Sequence, residues 1–229
     1  MFTLRGVCVT ALLMGFTAAL PAAHIDTFSD GTTMGWFVPD ATHPTPPVVE
    51  ATGGPAGAGD AYLVLTALGG RGPGSRLSVL NESQWARNYL AGGITEIQMD
   101  VRNFGPDDVY LRLLFEDFDP SIPGPPVNLA LTSNAVFVPG GSDWTRVSFA
   151  IAPADLTALI GAAEGALNTD VLRIFHNPDP EFPGPGVGIP TVIAQIGVDN
   201  ITAIPEPGSL WLLSAGVGLL FLARRRTLV

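Results

Sequence analysis

The 229-residue sequence contains no lysine, and Cys8 is its one cysteine. A lone cysteine inside an apolar N-terminal stretch leaves the rest of the chain without disulfides or thiolate chemistry. The three histidines, His24, His43 and His176, have no spacing that suggests zinc. Neither a Gly-x-Ser-x-Gly elbow nor a phosphate-cradling Gly-x-x-x-x-Gly-Lys loop is present. Long uncharged apolar runs occur only near the two ends, so the middle holds no candidate membrane span.

Those two ends read as addresses. Residues 1–23 combine one early positive charge (Arg5), an apolar stretch over 6–20 and the small residues Ala22 and Ala23, which predicts a secretory signal peptide. At the other end, Pro205, Glu206 and Pro207 precede an uncharged run over 208–223 and the cluster Arg224, Arg225, Arg226. As a helix that run would extend about 24 Å, short of the ~30 Å hydrocarbon core, so it predicts a marginal transmembrane helix. The arginines should stay cytoplasmic, which places the chain before Pro205 outside. Both prolines keep the box extended and separate from the span.

The Pro-Glu-Pro box, single apolar segment and arginine cluster over 204–229 resemble the bacterial PEP-CTERM sorting signal. That resemblance implies an exosortase-type membrane peptidase as partner and a transient membrane anchor. It also implies a Gram-negative envelope, in which an inner-membrane-anchored precursor passes to the cell surface or extracellular matrix. A link to exopolysaccharide or biofilm production is implied as well.

Residues 24–203 remain, enough for one domain with a substantial core. Removing Arg5 and the three terminal arginines leaves seven arginines against twenty acids, a net charge of −13. Such a domain excludes nonspecific nucleic-acid binding. Its patterning has period two: Ile97, Met99 and Val101 alternate with Glu96, Gln98, Asp100 and Arg102. Val109, Leu111, Leu113 and Phe115 form a second apolar row, and Val147, Phe149 and Ile151 a third. Half-buried antiparallel strands produce this pattern. Further strands are expected over 62–66, 135–138, 171–176 and 196–201, and one short helix over 154–163. The expected fold class is all-β, an antiparallel sandwich or jelly roll.

The segment from Asp26 to Thr33 with Gly35-Trp36, and the closing Gly197-Val198-Asp199-Asn200-Ile201, resemble the first and last strands of galactose-binding-like jelly rolls, which include many carbohydrate-binding modules. Gln84-Trp85, Asn88-Tyr89, 91–95, 100–103 and 198–203 resemble a group of uncharacterised PEP-CTERM proteins. The jelly-roll resemblance implies a structural calcium ion where the first and last strands meet, held by Asp199 with Asp26 or Asp30, and with Asp60 as a further ligand. The alternative is that these aspartates cap turns.

Arg102, Arg112, Arg146 and Arg173 fall at outward strand positions, with Tyr110 and Trp144 on the same side by parity. If the strands are neighbours, this is one face able to fork acidic groups and stack on sugars of an extracellular polysaccharide. The competing expectation is a solvated face of arginines paired with cross-strand acids. Two proline-rich loops, 119–127 and 179–187, share a pattern that would place Ile122 and Phe182 at one rim. Glu116, Asp117 and Asp119, or His176-Asn177 near Glu181, are the residues an enzyme would use, but a non-catalytic domain is the expectation. Sugar binding and purely structural protein contacts are the two functions left open.

Overall fold

The computed structural model describes residues 24–40, 42–70, 76–179 and 191–206. The signal peptide 1–23, most of the loop 179–187 with Glu181 and Phe182, Pro207, the predicted span 208–223 and Arg224, Arg225 and Arg226 lie outside the described residues. Among the described residues no helix is long and apolar enough to cross a membrane.

In chain order the strands are β1 (Ile25–Asp26), β2 (Val48–Glu50), β3 (Tyr62–Leu68), β4 (Ser78–Asn81), β5 (Arg87–Asn88), β6 (Ile94–Asn103) and β7 (Val109–Asp117). They continue as β8 (Asn128–Thr132), β9 (Val136–Val138), β10 (Thr145–Ala150), β11 (Leu156–Ile160), β12 (Asn168–Thr169), β13 (Val171–His176) and β14 (Ile193–Pro205). One sheet runs β10-β6-β14-β3-β2 with β1 beside β14; the other runs β11-β8-β7-β13-β4 with β9 beside β7. The pairings are antiparallel throughout. The chain crosses between the layers repeatedly, at β3 to β4, β4 to β6, β6 to β7, β9 to β10, β10 to β11 and β13 to β14. Most strands therefore pair with partners distant in sequence, β2–β3 and β7–β8 being hairpin-type exceptions. That wiring is a jelly-roll sandwich.

The predicted apolar rows become the core. Ile97, Met99 and Val101 of the first sheet meet Val109, Leu111, Leu113 and Phe115 of the second in one buried cluster. β14, central in its sheet, contributes Ile196 and Val198, then a register shift at Asn200, which takes a left-handed φ of 50°, and then Ile201 and Ala203. An extra residue of this kind keeps both halves of the strand facing inward.

The helix expected over 154–163 is not formed. Pro153–Asp155 makes a single 3-10 turn, β11 follows as an edge strand on β8, and only Ala163–Ala166 (α1) is helical. Pro153 and Gly161 leave too short a stretch between them for a stable helix, and Leu156 is worth more buried against β8.

Candidate functional site

The outer face of the second sheet carries a groove with a volume of about 240 Å³. Leu114 of β7, Leu129 of β8, Phe175 of β13 and Pro126 form its apolar part, and Arg76, Glu116 and Arg173 its charged part. Leu114, Leu129, Leu131 and Phe175 make a second buried cluster on the far side of the sheet from the main core. Arg173 donates through Nε (3.0 Å) and Nη2 (2.6 Å) to one oxygen of Glu116, so a guanidinium fork is held in place beside the apolar floor. A fixed rotamer lowers the entropy lost when a ligand is gripped.

The six residues expected on one face divide between the two sheets. Tyr110, Arg112 and Arg173 lie on the second sheet, whereas Arg102, Trp144 and Arg146 belong to the outer side of the first. Parity gave each strand's outward residues correctly, but it cannot tell which sheet a strand joins. On the first sheet the arginines are internally matched. Arg146 bonds Gln98, Asp100 and the Asn200 carbonyl. Arg102 pairs with Asp143 at 3.3 Å and lies 4.6 Å from the Phe104 ring centroid. Trp144 donates to the Gly53 carbonyl and packs edge-on against Tyr62 and Phe104. It also lies over Gly197, where a Cβ would come within 2.7 Å of its ring, which accounts for glycine in mid-strand.

Arg112 points outward yet is 3% exposed. It is consumed in structure, donating to the carbonyls of Thr132, Ser133, Asn177 and Pro178. At the far end of β7, Tyr110 and Phe137 are 38% and 49% exposed with ring centroids 5.1 Å apart.

The four aspartates expected to hold calcium do not form one cluster, although Asp60 and Asp199 lie within electrostatic reach of each other. Asp26 is completely buried and faces the core, where Trp36 and Trp85 each donate an indole N–H to its Oδ2 at 2.8 Å. Gln84 and His24 also reach it, so nitrogen groups surround its oxygens. Asp30 caps Thr32, and Asp60 accepts the Ala56 amide. Asp199 pairs with Asp100 on the opposite side of the first sheet from Asp26. Among the described residues no group of three His, Cys, Asp or Glu side chains could hold a metal ion.

Asp199 has a different consequence. It is 1% exposed, its Oδ1 has no hydrogen-bond partner, and burial pushes its carboxyl up to about 7, with Asp60 and Asp100 adding to the effect. The folded value exceeds the reference 3.8, so ionisation costs more in the native state than in the unfolded one. Stability attributable to this group therefore falls as pH rises from about 4 to about 7. Asp199→Asn should gain on the parent protein across that window, by on the order of 4 kcal/mol at most at pH 8. Urea unfolding of both proteins at several pH values checks this; a difference that does not grow with pH contradicts it.

The carboxylates an enzyme would need are engaged elsewhere. Glu116 is paired with Arg173, Asp117 accepts from Asn128 and Asn168, and Asp119 caps Ser121, whose hydroxyl and amide hold it below the usual carboxylate range. His176 accepts the Tyr110 amide at Nδ1, and burial lowers its pKa.

The C-terminal strand leads directly into the Pro-Glu-Pro box, and the sequence there decides the address. Residues 203–226 match the PEP-CTERM protein-sorting motif. The motif implies an exported, membrane-anchored precursor in a Gram-negative bacterium, processed by an exosortase-type peptidase. No curated protein sequence matches the chain. Among solved structures it is similar to an exo-beta-agarase, at 11% identity and a TM-score of 0.53 over 80% of this chain, though it spans only 25% of the agarase chain. It is also similar to the family 11 carbohydrate-binding module of Clostridium thermocellum, at 10% identity and a TM-score of 0.49 over 80% of this chain and 96% of that one. The K2 cleaved adhesin domain of Lys-gingipain is a further neighbour, at 11% identity and a TM-score of 0.44 over 80% and 99%.

Sequence reasoning missed Arg76, Leu114, Phe175 and Pro126. Leu114 and Phe175 carried a signal: each is apolar at an outward position, which breaks the polar row and marks a face that something must cover or fill.

Proposed function

We propose that the exported domain is a non-catalytic carbohydrate-binding sandwich that holds an acidic extracellular polysaccharide in the groove of its second sheet. The observation that carries this is the Arg173–Glu116 pair fixed beside an apolar floor. Apolar surface takes the C–H faces of sugar rings, and the Nη1 and Nη2 hydrogens of Arg173 that Glu116 does not take can meet paired oxygens. Arg76 adds a second cation at the groove, so the groove is locally positive in a domain of net −13. That contrast favours carboxylate- or sulfate-bearing chains. With the sorting motif, the natural setting is the exopolysaccharide of the cell surface or biofilm matrix. The agarase and carbohydrate-binding-module neighbours are consistent with this reading and carry none of it.

A structural surface protein is the second reading. The adjacent exposed rings of Tyr110 and Phe137 favour it, since exposed aromatic pairs are common anchors in protein contacts. A glycan array probed with the purified domain separates the two. Binding to acidic glycans is expected, and an array without hits supports the structural role.

A further inference from the structure

No linker separates the folded domain from its sorting box. The last residues of β14 remain in the sheet: Ile204 opposes Glu96, Pro205 opposes Ile94, and Glu206 donates its amide to the Gly93 carbonyl at 2.7 Å. Gly93 occupies a turn fastened from inside, because Ile94 donates to the Tyr89 carbonyl and the Tyr89 hydroxyl donates to the Trp85 carbonyl in the core. The same end of β14 is flanked by the residue before β1, where Ala203 donates to the His24 carbonyl. Of the three box residues, Pro205 is thus part of the native sheet and Glu206, just past β14, is hydrogen-bonded to the turn that precedes β6.

A peptidase that reads an extended segment must satisfy that segment's backbone itself, and groups already paired in a sheet are unavailable to it. We propose that the folded domain masks its own sorting box, and that the exosortase-type peptidase takes the precursor only when the end of β14 frays from β6. Openings of this kind are local and cost far less than global unfolding. Processing rate then reports the strength of the β14–β6 terminus. The inference rests on the sorting-motif match and is independent of the carbohydrate reading.

Pulse-labelled full-length precursor, produced in a Gram-negative host carrying an exosortase-type peptidase, tests it. A short flexible Gly/Ser insertion between Ile204 and Pro205 should speed loss of precursor about fivefold, the factor corresponding to one net backbone hydrogen bond. Glu96→Cys combined with Ile204→Cys places two thiols at opposed positions, where strand spacing suits a disulfide. Oxidised, this variant should be processed about tenfold more slowly, and reductant should restore the parent rate. Because the oxidised and reduced forms are one chain, this arm stands even if the insertion disturbs folding. Equal rates in the parent, insertion and crosslinked chains would overturn the masking. No processing of the parent chain would overturn the sorting reading along with it.

Discussion

Asp26→Ala should destabilise the domain by about 4 kcal/mol, lowering the melting temperature by about 8–16 °C for a domain of this size. The substitution leaves two indole N–H groups, of Trp36 and Trp85, buried without an acceptor. Each orphaned donor costs about 1–3 kcal/mol. The damage is also topological. Asp26 ends β1, which pairs with Thr202 and Ile201 of β14, so one carboxylate ties β1, the strand before the box and both tryptophans together. Asp26→Asn keeps one acceptor oxygen and should recover part of the loss. Thermal and urea unfolding of the three proteins check this; an Asp26→Ala protein within about 1 kcal/mol of the parent contradicts it.

Arg112→Ala should cost about 3 kcal/mol, seen as a fall in melting temperature of about 6–12 °C. Its guanidinium satisfies four carbonyls from two separate segments, the end of β8 and the residues following β13, and fastens both to β7. Removing it leaves buried acceptors without partners and frees one end of the groove's frame. Arg112→Lys should rescue little, because an ammonium is a point donor and cannot span the same fork. Calorimetry distinguishes this from a ligand-contacting role: a stable Arg112→Ala protein that had lost only binding would contradict the assignment.

Arg112 also marks where the sequence stops being informative. Period-two alternation located β6, β7 and β10 and gave their inward rows, because half-buried strands write their burial directly into residue order. β8 escaped because Leu129, Ala130 and Leu131 are buried in succession and show no alternation. β14 was recognised only in part because its register shift at Asn200 interrupts the period. Asp26 was read from the sequence as a candidate calcium ligand or turn cap and not as an indole acceptor. Two buried tryptophans needing partners were the clue, and only the fold puts residues 26, 36 and 85 together. The arginine row failed for a related reason, since outwardness is a local property whereas sharing a face depends on sheet membership.

Retention on an immobilised acidic polysaccharide tests most directly which face meets the ligand. The parent domain should be retained, and Arg173→Ala should weaken retention about tenfold, the loss expected for one charge-assisted hydrogen bond. Arg102→Ala combined with Arg146→Ala, on the other sheet, should leave retention unchanged. A parent domain that is not retained, or retention lost from the first sheet's arginines and not from Arg173, would contradict the account.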